Sequence, residues 1–135
     1  MKFMHGLAGA IALAVMTMSG AAFAAPSCGA NTGQAATGAP IVVGGIYSNG
    51  APGDWSSSTD AAAAYFACVN ANGGINGRPI EYLVEDDQWN PEAAAAAAAK
   101  LVNDKKAVAM VGNGSFTEMA VNAKTYEDQG IMAMA

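Results

Sequence analysis

The sequence predicts an α/β fold, a parallel sheet flanked by helices, and three observations carry that prediction. Two short, almost wholly apolar runs, Ile41–Tyr47 and Ala107–Val111, have the length and composition of strands buried on both faces. Segments with helical spacing or strong helix propensity alternate with these runs. The stretch Asn72–Asp87 then reads as a helix stop, a glycine-rich turn and a further strand. A strand lying between two helices is the repeating unit of a parallel sheet.

The chain opens with a segment that is not expected to join the fold. Lys2 and His5 give Met1–Ala24 a weakly positive start, Leu7–Met18 is apolar, and Ala22-Phe23-Ala24 has the small-x-small pattern of a signal-peptidase site. The apolar core is too short for a stable membrane span. We read residues 1–24 as a cleaved secretory signal peptide. Lipoprotein cleavage before Cys28 is the alternative, although Ala25-Pro26-Ser27 lacks the usual leading leucine. Removing 24 residues from 135 leaves 111, enough for one small domain. Lys2 leaves with the leader, so five basic residues remain against 11 acidic ones, a net charge of −6. An acidic exported chain without a basic patch argues against nucleic acid or an anionic membrane as partner.

Residues 25–40, rich in Gly, Ala, Asn and Thr, form a lead-in rather than an element. Cys28 and Cys68 are the two cysteines, and an oxidising compartment favours a disulfide between them. A lipid-bearing Cys28, or a partner for Cys68 on further sequence, are the alternatives. In the strand Ile41–Tyr47, Gly44 and Gly45 indicate a very close neighbour. Ser48–Ser58 is a long polar loop carrying Trp55, and its serines offer helix caps, with Asp60 in the first turn. From Ser58 to Asn72, Ala62, Tyr65, Phe66 and Val69 fall on one helical face.

In the strand that Pro79 opens, Ile80, Tyr82 and Val84 alternate with Glu81, Leu83 and Glu85, so one face is the more apolar. Glu85, Asp86 and Asp87 read as a solvated strand end. Trp89 is expected to pack around the following turn. Asn90 is a natural N-cap, Pro91 suits the first helical position and Glu92 the positive end of the dipole, opening a helix through the alanine run Ala93–Ala99. Lys100, Lys105 and Lys106 complement its end, and Asn103-Asp104 stops it. The strand Ala107–Val111 leads through Gly112-Asn113-Gly114-Ser115-Phe116-Thr117 into a helix over Glu118–Gln129, with Met119, Asn122 and Tyr126 spaced along it. Gly130 closes that helix, and Ile131–Ala135 begins a fourth strand. A chain ending on an uncovered apolar strand is expected to be a fragment of something longer.

Ligands of open parallel sheets bind beyond the carboxyl ends of the strands. Of the three loops there, Gly112–Thr117 offers most: glycines for close approach, hydroxyls on Ser115 and Thr117, and unpaired N–H groups at a helix N-terminus for a carboxylate or phosphate. The competing reading is that Ser115 or Thr117 only caps the helix. Trp55 can cover a ligand at the sheet edge or fold back on its own domain. No metal site is expected, because the acidic cluster lacks a second set of oxygen ligands and no histidine follows the leader. The same absence removes Ser-His chemistry, no cofactor is implied, and an enzyme is not expected.

The runs "NANGGINGRPIEYLVEDDQWNPEAAAAAAAKLVND" and "AVAMVGNGSFTEMAVNAKTYEDQGI" resemble the branched-chain amino-acid-type (leucine-binding-protein-like) periplasmic binding proteins of ABC importers, with "GGINGRPIE…EDD…P" as the specific marker. The resemblance covers Ile41–Ala135. It implies a type I periplasmic binding protein fold of which residues 41–135 are part of the N-terminal lobe. It also implies a non-catalytic periplasmic receptor that captures an amino acid or related small polar solute and passes it to a membrane permease. A ligand-sensing domain of the same fold in a signalling receptor is the alternative. By the resemblance, Asn113, Ser115, Phe116 and Thr117 would meet the ligand carboxylate and Trp55 would form an aromatic wall. Phe116 departs from the consecutive serines or threonines of many members, so its N–H is the group carried over. With only half a cleft, the chain is expected to bind weakly or not at all.

Overall fold

The computed structural model describes residues 27–135. The predicted leader, Met1–Ala24, lies outside the described residues. From Ile41 onward the order is β1 (Ile41–Tyr47), α1 (Ser57–Ala71), β2 (Ile80–Asp86), α2 (Pro91–Ala99), β3 (Ala109–Val111), α3 (Phe116–Gln129) and β4 (Met132–Met134). The four strands form one parallel sheet in the order β2-β1-β3-β4. Chain order therefore reverses at β1, between its neighbours β2 and β3.

Alternation along the strands divides the core in two. Val42 and Ile46 of β1, Leu83 of β2 and Met110 of β3 face α2 and α3, where they meet Ala97, Ala98, Leu101, Val102 and Tyr126. Ile41 and Val43 of β1, Ile80 and Tyr82 of β2 and Val111 of β3 face α1, packing with Phe66, Cys68 and Val69. The β1 glycines serve both sides. A Cβ on Gly44 would lie 2.6 Å from Met110 Sδ, and one on Gly45 would lie 2.3 Å from the Tyr82 hydroxyl. That hydroxyl crosses β1 to donate to the Val111 carbonyl at 2.6 Å, and burial pushes its pKa up to about 12.

Local chemistry explains most boundaries. Asn90 caps α2 by accepting from Ala93 N at 2.8 Å, with Pro91 at the first helical position. A π-helical turn, Lys100–Asp104, continues α2 and buries Leu101 and Val102. Gly130 closes α3 in the left-handed conformation. The turn before β2 places Asn76 and Gly77 at positive φ, and Ile75 and Arg78 bond across it in both directions at 2.9 and 3.0 Å. Arg78 then donates from Nε to the Ala39 carbonyl and from Nη2 to that of Pro40, fixing the lead-in.

Ser27–Pro40 contains neither helix nor strand but runs alongside the C-terminal end of α1. The disulfide between Cys28 and Cys68 ties it there across 40 residues, with a Cα–Cα distance of 6.0 Å.

Three readings of the sequence are corrected. Tyr65 is 57% exposed, because Phe66 and Val69 fill the space against the sheet and Tyr65 leans on Phe66 from outside. Val84 is exposed on the edge strand β2 and is not among the residues packed on the α1 side of the sheet. The third helix begins at Phe116 rather than Glu118, because Ser115 supplies its N-cap.

Candidate functional site

The β1–α1 and β3–α3 loops leave the sheet side by side, at the point where chain order reverses. Backbone bonds join them: Gly114 N donates to the Ile46 carbonyl at 2.9 Å, and Ser48 N to the Gly114 carbonyl at 3.1 Å. The approach is tight enough that a Cβ on Gly114 would lie 2.1 Å from the Trp55 carbonyl oxygen. Ser58 Oγ donates to the Gly112 carbonyl at 2.8 Å, and Asn113 Oδ1 accepts from Ile46 N at 3.1 Å. Between the loops lies a cleft of about 370 Å³, lined chiefly by Trp55, Ser57, Asn113, Ser115, Phe116 and Met119. It has no charged side chain in its wall.

A carboxylate buried beneath the cleft holds the three loops in place. Asp87 is fully buried and accepts from Ser48 Oγ at 2.6 Å, from Trp89 N at 3.0 Å and from Ser115 Oγ. Ser48 belongs to the loop after β1, Trp89 to that after β2 and Ser115 to that after β3. The expected solvated strand end therefore holds only in part. Asp86 is half-buried and binds Asn49 N and Gln88 N, and Glu85 pairs with Lys100 at 2.7 Å. Asp87 is instead a shared internal acceptor.

Ser115 has one hydroxyl proton, and it goes to Asp87. Its oxygen also accepts from Glu118 N at 3.0 Å as the N-cap of α3. What remains open to an anion at this end of α3 is the N–H of Phe116 and of Thr117, which have no intrahelical partner in the first turn, and the Thr117 hydroxyl. Thr117 Oγ1 lies 3.5 Å from Ser115 Oγ.

Below the cap, Glu118 is fully buried and accepts from the Tyr126 hydroxyl. Burial raises its pKa above the usual 4.5. Hydrogen bonding from Tyr126 and Asn113 pulls the other way, and the charge of Asp87 adds a smaller upward push. Asn113 Nδ2 and Glu118 Oε2 are both buried without a geometrically complete hydrogen bond.

Three aromatic rings group here: Trp55 and Phe116 line the cleft, and Trp89 contacts both. Trp55 meets Phe116 edge to face, with centroids 5.3 Å apart at 75°, and meets Trp89 at 6.2 Å and 76°. Trp89 is held by its indole N–H, which donates to the Gly53 carbonyl at 3.0 Å. It reaches beyond the turn where it was expected to pack, into the ring group. Trp55 is 45% and Phe116 71% exposed.

Of the sequence-predicted residues, Trp55, Asn113, Ser115 and Phe116 line this one cleft, and Thr117 stands beside it on the first turn of α3. Sequence reasoning missed Trp89 as part of the ring group and Asp87 as the anchor. The run Glu85-Asp86-Asp87 held no local signal for the second, because the side-chain donors that bury Asp87 arrive from loops 39 and 28 residues away. Among the described residues, no group of three or more His, Cys, Asp or Glu side chains is placed to hold a metal ion.

A family model described as "Periplasmic binding protein" matches residues 40–135. An amino acid binding protein of Pseudomonas aeruginosa is 35% identical over 80 residues, covering 59% of this chain and 20% of that protein. A Leu/Ile/Val-binding protein of Escherichia coli is 35% identical over 66 residues, covering 49% of this chain and 18% of that protein. The chain thus spans about a fifth of the length of these curated relatives. Among solved structures, the branched-chain amino acid transporter substrate-binding protein LivJ of Streptococcus pneumoniae, in complex with isoleucine, shares the fold. It matches with a TM-score of 0.62 and 24% identity over 70% of this chain and 29% of that one.

Proposed function

The chain belongs to the periplasmic binding protein family, of the branched-chain amino-acid type, and on that premise we propose that it carries one wall of the binding cleft of an extracytoplasmic solute receptor. The solute is an amino acid or a related small carboxylate, and the receptor delivers it to the permease of an ABC importer. Residues 41–135 are part of the N-terminal lobe, residues 25–40 lead into it, and residues 1–24 are the export signal.

One observation carries the reading. The cleft lies at the reversal point of strand order, where open parallel sheets bind their ligands, and the N-terminus of α3 opens beside it. There the Phe116 and Thr117 N–H groups and the Thr117 hydroxyl receive the carboxylate, while Ser115 holds the turn that aims them. Trp55 and Phe116 cover the rest of the solute. Binding by such groups needs no bond to be broken, and the protein acts without catalysis.

The test is a titration of ¹⁵N-labelled protein with leucine, phenylalanine and glutamine, followed by amide chemical shifts. With one wall of the cleft, the dissociation constant is expected near the millimolar range, roughly −4 kcal/mol of binding free energy. The shifts should concentrate on Ser115, Phe116 and Thr117. If every carboxylate solute leaves those amides unmoved, the reading is wrong; submillimolar binding would show that the cleft needs no second wall.

A further inference from the structure

We infer that the solute is an aromatic carboxylate, a flat ring carried on a short carboxylated stem, rather than a branched aliphatic amino acid; this rests on the reading of the cleft given above. The rings that converge on the cleft set the first condition. Trp55 and Phe116 stand at 75° with 5.3 Å between centroids, forming an open corner with one wall edge-on to the other. A third ring that stacks on one of these faces turns its edge toward the other face, and both are arrangements that aromatic pairs prefer. A branched aliphatic chain fills the same corner without that directional gain.

The corner is set before any ligand arrives. Trp55 N donates to the Ser48 carbonyl at 2.9 Å, Gly114 packs directly against the Trp55 carbonyl, and Trp89 is pinned by its bond to Gly53. Phe116 nevertheless stays 71% exposed, although it contacts both tryptophans, 5.3 and 6.5 Å from their centroids. With Trp55 and Met119, 45% and 41% exposed in the same wall, it makes an apolar patch, and such a patch marks a contact surface.

The second condition is charge. The cleft wall has no charged side chain, so this wall offers an ammonium group no ion pair, only the weaker attraction of the ring faces. The donors at the start of α3 serve a carboxylate alone. An amino acid and its analogue lacking the amine therefore differ little to this wall, and the chemistry it selects is carboxylate plus ring.

Trp55 and Trp89 are the only two tryptophans in the sequence, so intrinsic fluorescence reads this corner directly. We would titrate the protein with phenylalanine, phenylacetate and leucine, following fluorescence and the amide shifts of Ser115–Thr117 together. Phenylalanine and phenylacetate should bind within about threefold of each other, and each roughly five- to tenfold tighter than leucine. In Phe116→Leu, which keeps an apolar side chain at an exposed position but removes the ring, the ratio between aromatic and aliphatic affinities should fall toward one. Leucine binding as tightly as both aromatic probes, with the loop amides shifting, would overturn this inference and leave the proposed function standing. Failure of all three probes to shift those amides would overturn both. A preference for phenylalanine that survives in Phe116→Leu would also overturn it, since the discrimination would then come from outside the corner.

Discussion

Replacing Asp87 by alanine should cost far more than its place in an acidic, loop-proximal run suggests. Asp87 is fully buried and accepts from donors on three separate loops. The three losses are unequal. Ser48 is itself fully buried, so its hydroxyl has no water to turn to and bears the stranded-donor penalty of about 1–3 kcal/mol. The Trp89 N–H is partly buried and adds about 1 kcal/mol. Ser115 lies at the cleft wall and can turn its proton outward, at little cost. The sum is about 2–4 kcal/mol, which in a domain of this size lowers the melting temperature by roughly 8–20 °C. Urea unfolding followed by far-ultraviolet circular dichroism measures the loss, and a double-mutant cycle with Ser48→Ala apportions it. In the Asp87→Ala background, Ser48→Ala should be neutral or stabilising, because it removes the stranded hydroxyl. A loss below about 1 kcal/mol for Asp87→Ala, or additive single effects, would refute the anchoring role.

Glu118→Gln should flatten the pH dependence of stability. Burial raises the folded-state pKa above the usual 4.5, so the favourable contribution of the neutral carboxyl is complete below the unfolded value and is lost as pH climbs through the folded one. The wild type should therefore weaken upward from about pH 4.5 relative to the glutamine variant, as read from urea midpoints across pH. Converting both Cys28 and Cys68 to serine opens a link spanning 40 residues and should cost about 3–4 kcal/mol by the chain-entropy account, measured by the same unfolding assay. The tryptophan emission should stay unchanged, because the bridge holds the lead-in to α1 rather than the ring group. Gly114→Ala forces a methyl onto the Trp55 carbonyl and should destabilise by about 1–3 kcal/mol while shifting tryptophan emission. An unchanged spectrum would show that the loops have slack the geometry denies.

The strands and their order of use were legible because apolar runs and glycine turns act locally. Ile41–Tyr47 needs burial on both faces wherever it goes, and Asn90 and Gly130 terminate helices by their own side chain or backbone. The choice of loops for the cleft was legible for a related reason, since parallel sheets present their ligands at one end. The buried acids were not legible. Hydrophobic periodicity assigns a carboxylate to solvent, and whether it is buried depends on donors arriving from elsewhere: Ser48 lies 39 residues from Asp87, and Ser115 lies 28. In sequence Trp89 belongs to its local turn, and nothing near it points to Trp55 and Phe116, which approach only when the sheet is assembled.

The proton count at Ser115 bears on how such a loop can vary. Its hydroxyl hydrogen is committed to Asp87 and its oxygen accepts the Glu118 N–H, so the side chain works for the scaffold. On the proposed reading, anion contacts fall mainly to the N–H groups of Phe116 and Thr117, and a backbone N–H is supplied by any residue except proline. Position 116 is thereby released from chemistry. Phe116 departs from the serine or threonine that many similar proteins carry there, and the geometry supplies a use for that departure. On the proposed reading, the main chain keeps the carboxylate contact and the freed side chain joins the wall that would meet the body of the solute. Restoring a hydroxyl with Phe116→Ser should accordingly leave the turn folded, since the side chain is 71% exposed, while removing one side of the aromatic corner.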